Sequence, residues 1–451
     1  MCGFLGVFTE DQGMLDHFQQ NNDYYMRLVA RRGPDETTVH RTTDTFISHA
    51  LLAINDHVTQ PIENEDNLLF MNGEFYNAEA LSAKNDTEWL LNYLSAHKDI
   101  SFLDGEFISV FYRKKEREVT IISDPFATKP CFVVVGVNIV AIASYQEPLA
   151  QAFGEAVVME FPPNTRFVYD MKANTVLTHK EVVRWDFVPK NDSYDDWNRA
   201  FEESIRKRSA TDKQIFLGLS SGYDSGMIVQ ELINQNRDFI SYSIFGAENK
   251  ETLQKRLDLV NASEKGKAAV VLYDQERYDS HKDFLMNNCS NYPYRSVQGK
   301  FIKWMLDDKA GVGLSMICED AKSTGAKIYL SGQGADEIFS DYATRGPHHG
   351  TVRGNYTNVR SKWVNFDQGF QRNFLSKEER VPGAWGIEAR YPFLDRYVVQ
   401  NFLWLSDELK NSEYKQCITQ YLRKYKFPFD ENQKCGFNPL KSLPRGKILY
   451  G

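Results

Sequence analysis

The stretch Ile215-Phe216-Leu217-Gly218-Leu219-Ser220-Ser221-Gly222-Tyr223-Asp224-Ser225 decides how the second half of this chain is expected to fold. Its apolar first half predicts a buried strand at 215–219, and the small polar residues after it open a helix that we place at 225–233. Exposed backbone N–H groups at a helix N-terminus form a cradle for anions. Taken alone, such a Ser/Gly turn is equally compatible with an ordinary helix cap.

Further apolar strands and helices alternate around this stretch. A helix is predicted at 196–208, and strands are predicted at 239–245 and 268–272. A second cluster of small and acidic residues, 331–337, follows another apolar run at 328–330. Alternation of this kind predicts an α/β domain with a doubly wound parallel sheet.

The first part of the chain reads differently, as short strands separated by turns. β-Branched and aromatic residues predict strands at 46–54, 68–71, 107–112 and 119–122. One helix is predicted at 87–94, behind the possible cap Asp86. This pattern is typical of an α+β layered domain.

Length and turn chemistry predict two domains. At 451 residues the chain exceeds the roughly 250 to 300 residues that one hydrophobic core usually organises. The sequence loosens into Pro-, Asn- and Asp-containing turns between about 160 and 195. We therefore expect a first domain at 2–165, a linker at 166–195 and a second domain at 196–451.

Composition excludes several classes of protein. Hydrophobic residues make up 42% and charged residues 25%, which are ordinary globular values. The net charge of −8, with both signs interspersed, argues against a nucleic-acid partner. The most apolar stretch, 131–143, is shorter than the roughly 20 residues of a membrane-spanning helix and is expected to form two strands and a turn.

The cysteines indicate a reducing environment. Six cysteines lie far apart, without a C-x-x-C pair or zinc-site spacing. Free thiols predict a cytoplasmic protein. The N-terminus lacks a basic region followed by an apolar core, so no secretory signal is expected, and Cys2 becomes the first residue once Met1 is removed.

A cysteine in that position can use its own α-amine as the base. A free α-amine titrates near 7.7 to 8.0 and can take the thiol proton without a separate histidine. An isolated cysteine is more often a small buried residue. Here it is accompanied by Arg31-Arg32-Gly33-Pro34-Asp35, by Asn72-Gly73-Glu74-Phe75-Tyr76-Asn77 and by Asp86.

Together these segments resemble the class II glutamine amidotransferases. The resemblance implies that Cys2 attacks the side-chain amide of glutamine, that the Asn72 side chain and the Gly73 amide stabilise the oxyanion, and that Asp86 binds the glutamine α-amine. Arg32 and Asp35 are interpreted as structural. In the family an arginine grips the glutamine carboxylate, but here Leu51 stands at that position.

The two small-residue clusters resemble the phosphate motifs of the ATP pyrophosphatases, S-G-G-x-D-S and S-G-E-G-x-D-E. The resemblance implies that Asp224 and Asp336 hold Mg²⁺ against the phosphates of ATP, a hard cation with oxygen ligands. It also implies contacts to ATP or pyrophosphate from eight motif residues: Ser220, Ser221, Gly222, Tyr223, Asp224, Ser225, Ser331 and Gly332.

Two later segments extend the resemblance. Residues 384–395, Ala-Trp-Gly-Ile-Glu-Ala-Arg-Tyr-Pro-Phe-Leu-Asp, resemble the W-G-x-E-x-R-x-P-F-L-D signature of the asparagine synthetase superfamily, in which Glu388 corresponds to an acid/base carboxylate. A buried pair of Glu388 with Arg390 is compatible with that role, because such pairs also shift pKa values. Residues 434–440 resemble the family's K-x-G-F-x-x-P-L segment. Lys434 would there neutralise charge on the phosphates and on the acyl-adenylate.

The resemblance implies a glutamine-dependent amide ligase that uses ATP and Mg²⁺. Its partners would be glutamine or ammonia and a small carboxylate such as aspartate, and a homodimer is a further expectation. The acceptor stays open, because 309–314 lack the arginine and the Ser-Thr-Pro run of asparagine synthetases. Two alternatives remain: an amide or lactam synthetase with a weak or lost glutaminase, and an inactive regulatory or binding protein.

Overall fold

The computed structural model describes residues 2–77, 85–97, 99–343, 355–431 and 439, and every structural statement below concerns these residues. The chain divides into two compact units, Met1–Arg184 and Trp185–Gly451.

The first unit contains two six-stranded antiparallel sheets. One has the strand order β10-β8-β9-β1-β3-β2 and the other the order β12-β11-β7-β6-β5-β4. The strands are β1 Gly3–Thr9, β2 Glu36–Arg41, β3 Thr45–Leu51, β4 Ile62–Glu63, β5 Asn67–Phe75, β6 Gly105–Arg113, β7 Glu118–Ser123, β8 Phe132–Gly136, β9 Ile139–Ala143, β10 Met159–Glu160, β11 Thr165–Asp170 and β12 Thr175–Glu181.

Strand β1 is buried along its whole length because both faces of its sheet are covered. On one face, Phe4 and Phe8 pack against residues of the second sheet, and the ring centroids of Phe4 and Phe70 lie 5.2 Å apart. On the other face, Leu5 and Val7 pack against helices. Successive side chains of a strand point to opposite faces, so the two cores alternate along β1.

Helices complete the layers of this unit. They are α1 Gln12–Gln20, α2 Asn22–Met26, α3 Asp86–Ala96 and α4 Gln146–Phe153. Leu15, Phe18 and Leu149 bury the first sheet, whereas α3 contacts the second sheet through Trp89 and Phe75, whose rings lie 5.7 Å apart. The predicted α+β layered fold is confirmed.

Three local predictions for this unit have different outcomes. Residues 131–143 form the predicted pair of strands, β8 and β9, with Asn138 at φ 57° in the turn. Helix α3 begins one residue earlier than expected, because Asn85 rather than Asp86 is its cap and accepts a hydrogen bond from the Glu88 amide at 2.7 Å. Part of the expected linker, 166–195, is ordered sheet: β11 and β12 pair as far as Glu181.

The second unit is built on a five-stranded parallel sheet with the order β15-β14-β13-β18-β19. Its strands are β13 Ile215–Gly218, β14 Phe239–Ser243, β15 Gly266–Val270, β18 Ile328–Leu330 and β19 Glu388–Arg390; a short hairpin comprises β16 Tyr294–Arg295 and β17 Phe301–Ile302. The chain order along the sheet reverses between β13 and β18. Ligands of doubly wound folds bind outside the carboxyl ends of the strands at such a switch point.

Helices connect these strands, as the predicted α/β class requires. They are α5 Asp195–Arg208, α6 Tyr223–Asn234, α7 Lys250–Ala262, α8 Gln275–Asn288, α9 Lys309–Ser323, α10 Ala335–Phe339, α11 Val364–Asp367, α12 Gly369–Ala384, α13 Arg396–Trp404, α14 Asp407–Lys410 and α15 Gln416–Lys424.

No helix in the described ranges is both long enough and apolar enough to cross a bilayer. The five cysteines within those ranges, Cys2, Cys131, Cys289, Cys318 and Cys417, are buried free thiols.

A buried charge network ties the end of α5 to β19 and α13. The carboxylate of Asp395 lies 2.6 Å from Lys207 Nζ and accepts a hydrogen bond from Arg208 Nη1 at 2.8 Å. Arg390 donates to the carbonyl of Arg208 at 2.9 Å. All these charged side chains are almost completely buried, so their mutual pairing offsets the cost of removing them from water.

Breaking this network should destabilise the second unit strongly. Asp395→Asn leaves two buried cations without their carboxylate, which costs about 3–5 kcal/mol. Pairing holds the pKa of Asp395 well below its usual range despite burial, so its stabilisation is complete above the unfolded pKa of about 4 and is lost as the pH falls below it. Urea unfolding followed by circular dichroism measures both effects.

The matched control is Glu203→Gln on the same helix, α5. Glu203 forms an exposed ion pair with Arg206, a class of contact worth roughly 0.2–1 kcal/mol. Equal losses of stability in the two variants would contradict the importance of the buried network.

Candidate functional site

In the first unit, Cys2 lies just before β1, within reach of both sheets. Its backbone nitrogen donates to Asn72 Oδ1 at 2.6 Å, and its carbonyl accepts a hydrogen bond from Arg32 Nε at 3.0 Å. Asn72 belongs to β5 of the second sheet, and Arg32 closes the 3₁₀ helix Val29–Arg32. Arg32 therefore positions the backbone at Cys2, which is the kind of structural role predicted for it.

Asn72 is fully buried and has an unused hydrogen-bond donor. Its Oδ1 is occupied by the Cys2 nitrogen, while its Nδ2 has no hydrogen-bond partner among the described residues. A buried donor without a partner costs free energy in the resting protein. Beside a candidate nucleophile, that donor is suited to an oxyanion that develops during the reaction.

Gly73 follows Asn72 with a φ of 133°, which L side chains rarely adopt. A Cβ atom at this position would lie 2.0 Å from the carbonyl oxygen of Glu106 on the neighbouring strand. Glycine is thus required at 73 by the close approach of β6, in addition to any role of its amide.

Asp86 and Leu51 are the other two positions at which the resemblance predicts contacts to glutamine, besides Asn72 and Gly73. Asp86 begins α3, and its carboxylate accepts the amide hydrogen of Phe75 at 3.3 Å, which holds it beside the end of β5. Leu51 ends β3 and is buried, paired with Glu36 of β2. Asp35 accepts the Ala53 amide at 2.8 Å and fixes the loop behind Leu51, a structural role.

No arginine of β2 replaces the missing cation at Leu51. Arg41 lies at the other end of β2, opposite Phe46, and donates to Asp16 at 3.1 Å and to Gln12 at 3.0 Å. Five residues of strand separate it from Glu36, or about 17 Å. Arg31, in the 3₁₀ helix Val29–Arg32, is exposed.

In the second unit, the first phosphate motif lies at the switch point, between β13 and α6. Ser225 Oγ accepts the Ser220 amide at 3.1 Å and closes the turn, and Arg256 Nη1 donates to the carbonyls of Ser220 and Gly222 at 2.6 Å each. These contacts turn the carbonyl groups toward Arg256. They leave the start of α6 facing a cavity that lies at the carboxyl ends of β13 and β18.

Ser221 departs from the glycine of the family motif, and the structure gives the reason. Its amide donates to Glu248 Oε2 at 2.6 Å, and its hydroxyl donates to the same oxygen. Glu248 thereby fixes the loop from behind. Ser221 is not among the residues that line the cavity, whereas Ser220, Gly222, Tyr223, Asp224 and Ser225 are.

The second motif follows β18 and lies in close contact with the first. Gly332 lies so near that a Cβ atom there would be 3.0 Å from the Cβ of Asp224. Ser331, Gly332 and Asp336 line the same cavity, together with Glu337. Burial, followed by the nearby charge of Asp336, raises the pKa of Glu337 to about 7.

Asp224 and Asp336 converge on one ammonium group, that of Lys415. Lys415 Nζ lies 2.6 Å and 2.7 Å from the two carboxylate oxygens of Asp224 and 3.0 Å from Asp336 Oδ1. Tyr414 also donates to Asp336 Oδ1, at 3.1 Å. Burial alone would lower the pKa of Lys415, but the two carboxylates outweigh it and raise that pKa well above the ordinary value.

Asp224 and Asp336 supply the oxygen ligands that Mg²⁺ prefers, and such a cation completes its shell with waters and substrate phosphates. The point that both carboxylates face is taken by Lys415 Nζ, so a bound metal would share these carboxylates with the ammonium group. The described residues contain no group of three or more acidic, histidine or cysteine side chains that could hold a metal on their own. A metal at Asp224 and Asp336 would therefore depend on ligands from the substrate.

Glu388, the predicted acid/base carboxylate, is buried on β19. It is 1% exposed, accepts a hydrogen bond from Arg390 Nε at 2.8 Å and does not line the cavity. Such a buried pair is compatible with an acid/base role, which stays a prediction. Lys434 lies outside the described residues.

Sequence reasoning missed three charged residues of the cavity lining. Lys415 precedes α15 in a left-handed conformation, φ 45°, within no recognised motif. Lys377 and Glu378 lie on α12 and also line the cavity. The only sequence signal is a lone lysine or a Lys-Glu pair in a helix, which is usually a solvated surface.

Comparisons with known proteins match both units. A glutamine amidotransferase domain model matches residues 1–182, and an asparagine synthase model matches residues 196–365. A glutamine-hydrolyzing asparagine synthetase 2 of Lotus japonicus is 25% identical over 91% of this chain and 71% of its own length. A nodule asparagine synthetase of Pisum sativum is 24% identical over 96% of this chain and 75% of its own.

One solved structure that aligns is the glutamine phosphoribosylpyrophosphate amidotransferase of B. subtilis, with 12% identity, a TM-score of 0.31 and coverage of 97% of this chain and 100% of its own.

The position of Lys415 predicts a role in binding pyrophosphate. Lys415→Met removes the charge that neutralises Asp224 and Asp336, so polyanion affinity should fall about ten- to a hundredfold, since a bond to a charged group is worth about 1.5–3 kcal/mol. Isothermal titration with magnesium pyrophosphate measures the change. Lys424→Met, an exposed lysine on α15, is the matched control; unchanged affinity in Lys415→Met would contradict the assignment.

Proposed function

Given that this chain belongs to the asparagine synthetase superfamily, we propose that it is an ATP-dependent amide ligase that adenylates a small carboxylate and amidates it with ammonia from glutamine. The observation that carries this proposal is the convergence of Asp224 and Asp336 on Lys415, in a cavity at the switch point of a parallel sheet. Aspartate, the acceptor that the relatives' names imply, is the first acceptor to test.

The first unit would release ammonia. The Cys2 thiolate attacks the side-chain carbonyl carbon of glutamine, and its α-amine, free after removal of Met1, takes the thiol proton and passes it to the leaving ammonia. The unused Nδ2 donor of Asn72 and the Gly73 amide stabilise the oxyanion, while Asp86 binds the substrate amine. Water then hydrolyses the thioester to glutamate.

The second unit would activate the acceptor. A carboxylate oxygen attacks the α-phosphorus of ATP, the bond from that phosphorus to the bridging oxygen breaks, and pyrophosphate leaves. Ser220, residues 222–225, Ser331, Gly332 and Lys415 hold the phosphates, with Lys434 as a further proposed cation; Ser221 instead fixes the loop through Glu248. Mg²⁺, held by Asp224 and Asp336, supplies positive charge against the phosphates when bound.

Ammonia then attacks the acyl carbon of the adenylate, and AMP leaves with one oxygen of the original carboxylate. This balance distinguishes adenylation from phosphorylation, in which ADP would leave. A cytoplasmic location, where glutamine and ATP are abundant, is part of the proposal and agrees with the buried free thiols.

Leu51 favours a second candidate within the same family. An apolar, buried side chain at the position of the carboxylate-gripping arginine weakens the case for efficient use of glutamine. Amide or lactam formation with an amine other than glutamine-derived ammonia is the alternative. The paired Cys2 and Asn72 favour the glutaminase instead.

Cys2→Ala should abolish glutamine-dependent synthesis and leave ammonia-dependent synthesis intact, because the variant loses only the nucleophile of the first unit. Pyrophosphate and amide production are measured with glutamine and with ammonium chloride. Cys131→Ala, a change at another buried cysteine of this unit, is the control. Active protein should lack Met1 by mass spectrometry, and equal loss of both activities would contradict the division of labour.

Leu51→Arg should lower the KM for glutamine. A bidentate arginine contact to a carboxylate is charge-assisted, so we expect a high parent KM and a decrease of about ten- to a hundredfold in the variant. Leu51→Met, which keeps the volume, is the control, and circular dichroism checks that the buried arginine is tolerated. A low parent KM that the arginine does not improve would show that another group grips the carboxylate.

A further inference from the structure

The cavity of the second unit has a lining that the phosphate motifs do not account for. Helix α9 contributes Ala310, Leu314 and Ile317, and α12 contributes Lys377 and Glu378. Such residues can select the acceptor, because the phosphate motifs are occupied with the nucleotide in the proposed function.

Helix α9 presents an apolar face to the cavity. Ala310, Leu314 and Ile317 follow one another at spacings of four and three residues and so share one side of the helix. Lys309, the cation of this segment, is exposed and does not line the cavity. Recognition of a charged acceptor by α9 side chains is therefore excluded within the described lining.

The charged side chains outside the phosphate motifs that could bind a charged acceptor instead include two on α12, Lys377 and Glu378. Lys377 Nζ lies 3.6 Å from Glu378 Oε1 and 3.9 Å from Asp308 Oδ2. Both distances exceed the roughly 2.7–2.9 Å of a short charge-assisted N–H···O bond. Glu378 still acts as a hydrogen-bond acceptor for this ammonium, which has three donors and so retains capacity for a further anion. Burial works against its charge, but Asp308 and Glu378 outweigh burial and raise the pKa of Lys377, which keeps it cationic.

Glu378 is oriented by the second phosphate motif. Its Oε2 accepts a hydrogen bond from Ser331 Oγ at 3.0 Å, which links the carboxylate to the end of β18. Its Oε1 faces Lys377. Helix α12 thus adds one anion and one cation, side by side, to the cavity lining, at a fixed position relative to the motif that is proposed to hold the phosphates.

We propose that Lys377 and Glu378 are the specificity-determining residues for the acceptor, and that together they select an α-amino dicarboxylate by binding its α-carboxylate and its α-ammonium group. This inference rests on the proposed function. Adjacent ammonium and carboxylate groups of an α-amino acid complement an adjacent carboxylate and ammonium of the protein. The second carboxylate of the acceptor is then free to meet the α-phosphate.

The test is acceptor-dependent release of pyrophosphate from ATP by the full chain. The panel comprises aspartate and glutamate, succinate and glutarate, which lack the ammonium group, and β-alanine and 4-aminobutyrate, which lack the α-carboxylate. The parent should prefer the better of the two amino dicarboxylates over its truncated analogues by tenfold or more in kcat/KM.

Each substitution should remove the preference for one of the two acceptor groups, the α-carboxylate or the α-ammonium. Lys377→Met should lose about ten- to a hundredfold with the amino dicarboxylate but little with the analogue that lacks the α-carboxylate, whereas Lys377→Arg should retain the preference. Glu378→Gln should lose its preference over the dicarboxylate without the ammonium group. Lys309→Met is the matched control, and its acceptor preferences and magnesium pyrophosphate binding should equal those of the parent.

The outcomes separate the inference from the proposed function. Pyrophosphate release with succinate or glutarate at least as fast as with the amino dicarboxylates would overturn the inference and leave adenylation standing. Unchanged preferences in Lys377→Met and Glu378→Gln would also overturn it. No pyrophosphate release with any carboxylate would overturn both.

Discussion

Two aspartates that face one buried ammonium are the constraint on which the second unit depends. Asp224 and Asp336 come from different loops, and like charges so close together are stable only with a cation between them. Lys415 supplies that cation from a third segment, in a left-handed backbone conformation that places its side chain toward both. The reversal of strand order between β13 and β18 is what brings the two loops together.

The surrounding contacts maintain this arrangement. Glu248 and Arg256 bind the first loop from behind through Ser221 and through its carbonyl groups, and Gly332 lets the second loop approach Asp224 closely. Farther away, the network around Asp395 joins α5 to β19. In the first unit a neutral side chain positions the candidate nucleophile. The fully buried Asn72 accepts a hydrogen bond from the Cys2 nitrogen through Oδ1, while its Nδ2 makes no hydrogen bond among the described residues.

Much of this could be predicted where the sequence carries a local pattern. Short-range spacing predicts the strand, turn and helix around Ser220 and the second cluster, 331–337. The association of Cys2 with Asn72 is predicted from the family resemblance. The predictions are less complete where the pattern is not local. The signature at 384–395 matches by identity and admits a buried pair of Glu388 with Arg390, but only the structure shows that β19 pairs with β18 and that this side chain is buried against Arg390. Strand β12 is exposed along nearly its whole length, so no apolar alternation marks it inside the expected linker. Lys415, Lys377 and Glu378 acquire meaning only from tertiary packing.

The most direct test of the account follows an oxygen atom. If the second unit adenylates its acceptor, a carboxylate labelled with ¹⁸O must transfer one labelled oxygen to AMP when ammonia displaces the nucleotide. Incubating the protein with ATP, magnesium, an ammonium salt and labelled aspartate or glutamate, then measuring the mass of the released AMP, gives the answer. The account predicts AMP that contains one ¹⁸O together with unlabelled pyrophosphate. Amide formation accompanied by ADP and labelled phosphate, with no labelled AMP, would contradict it.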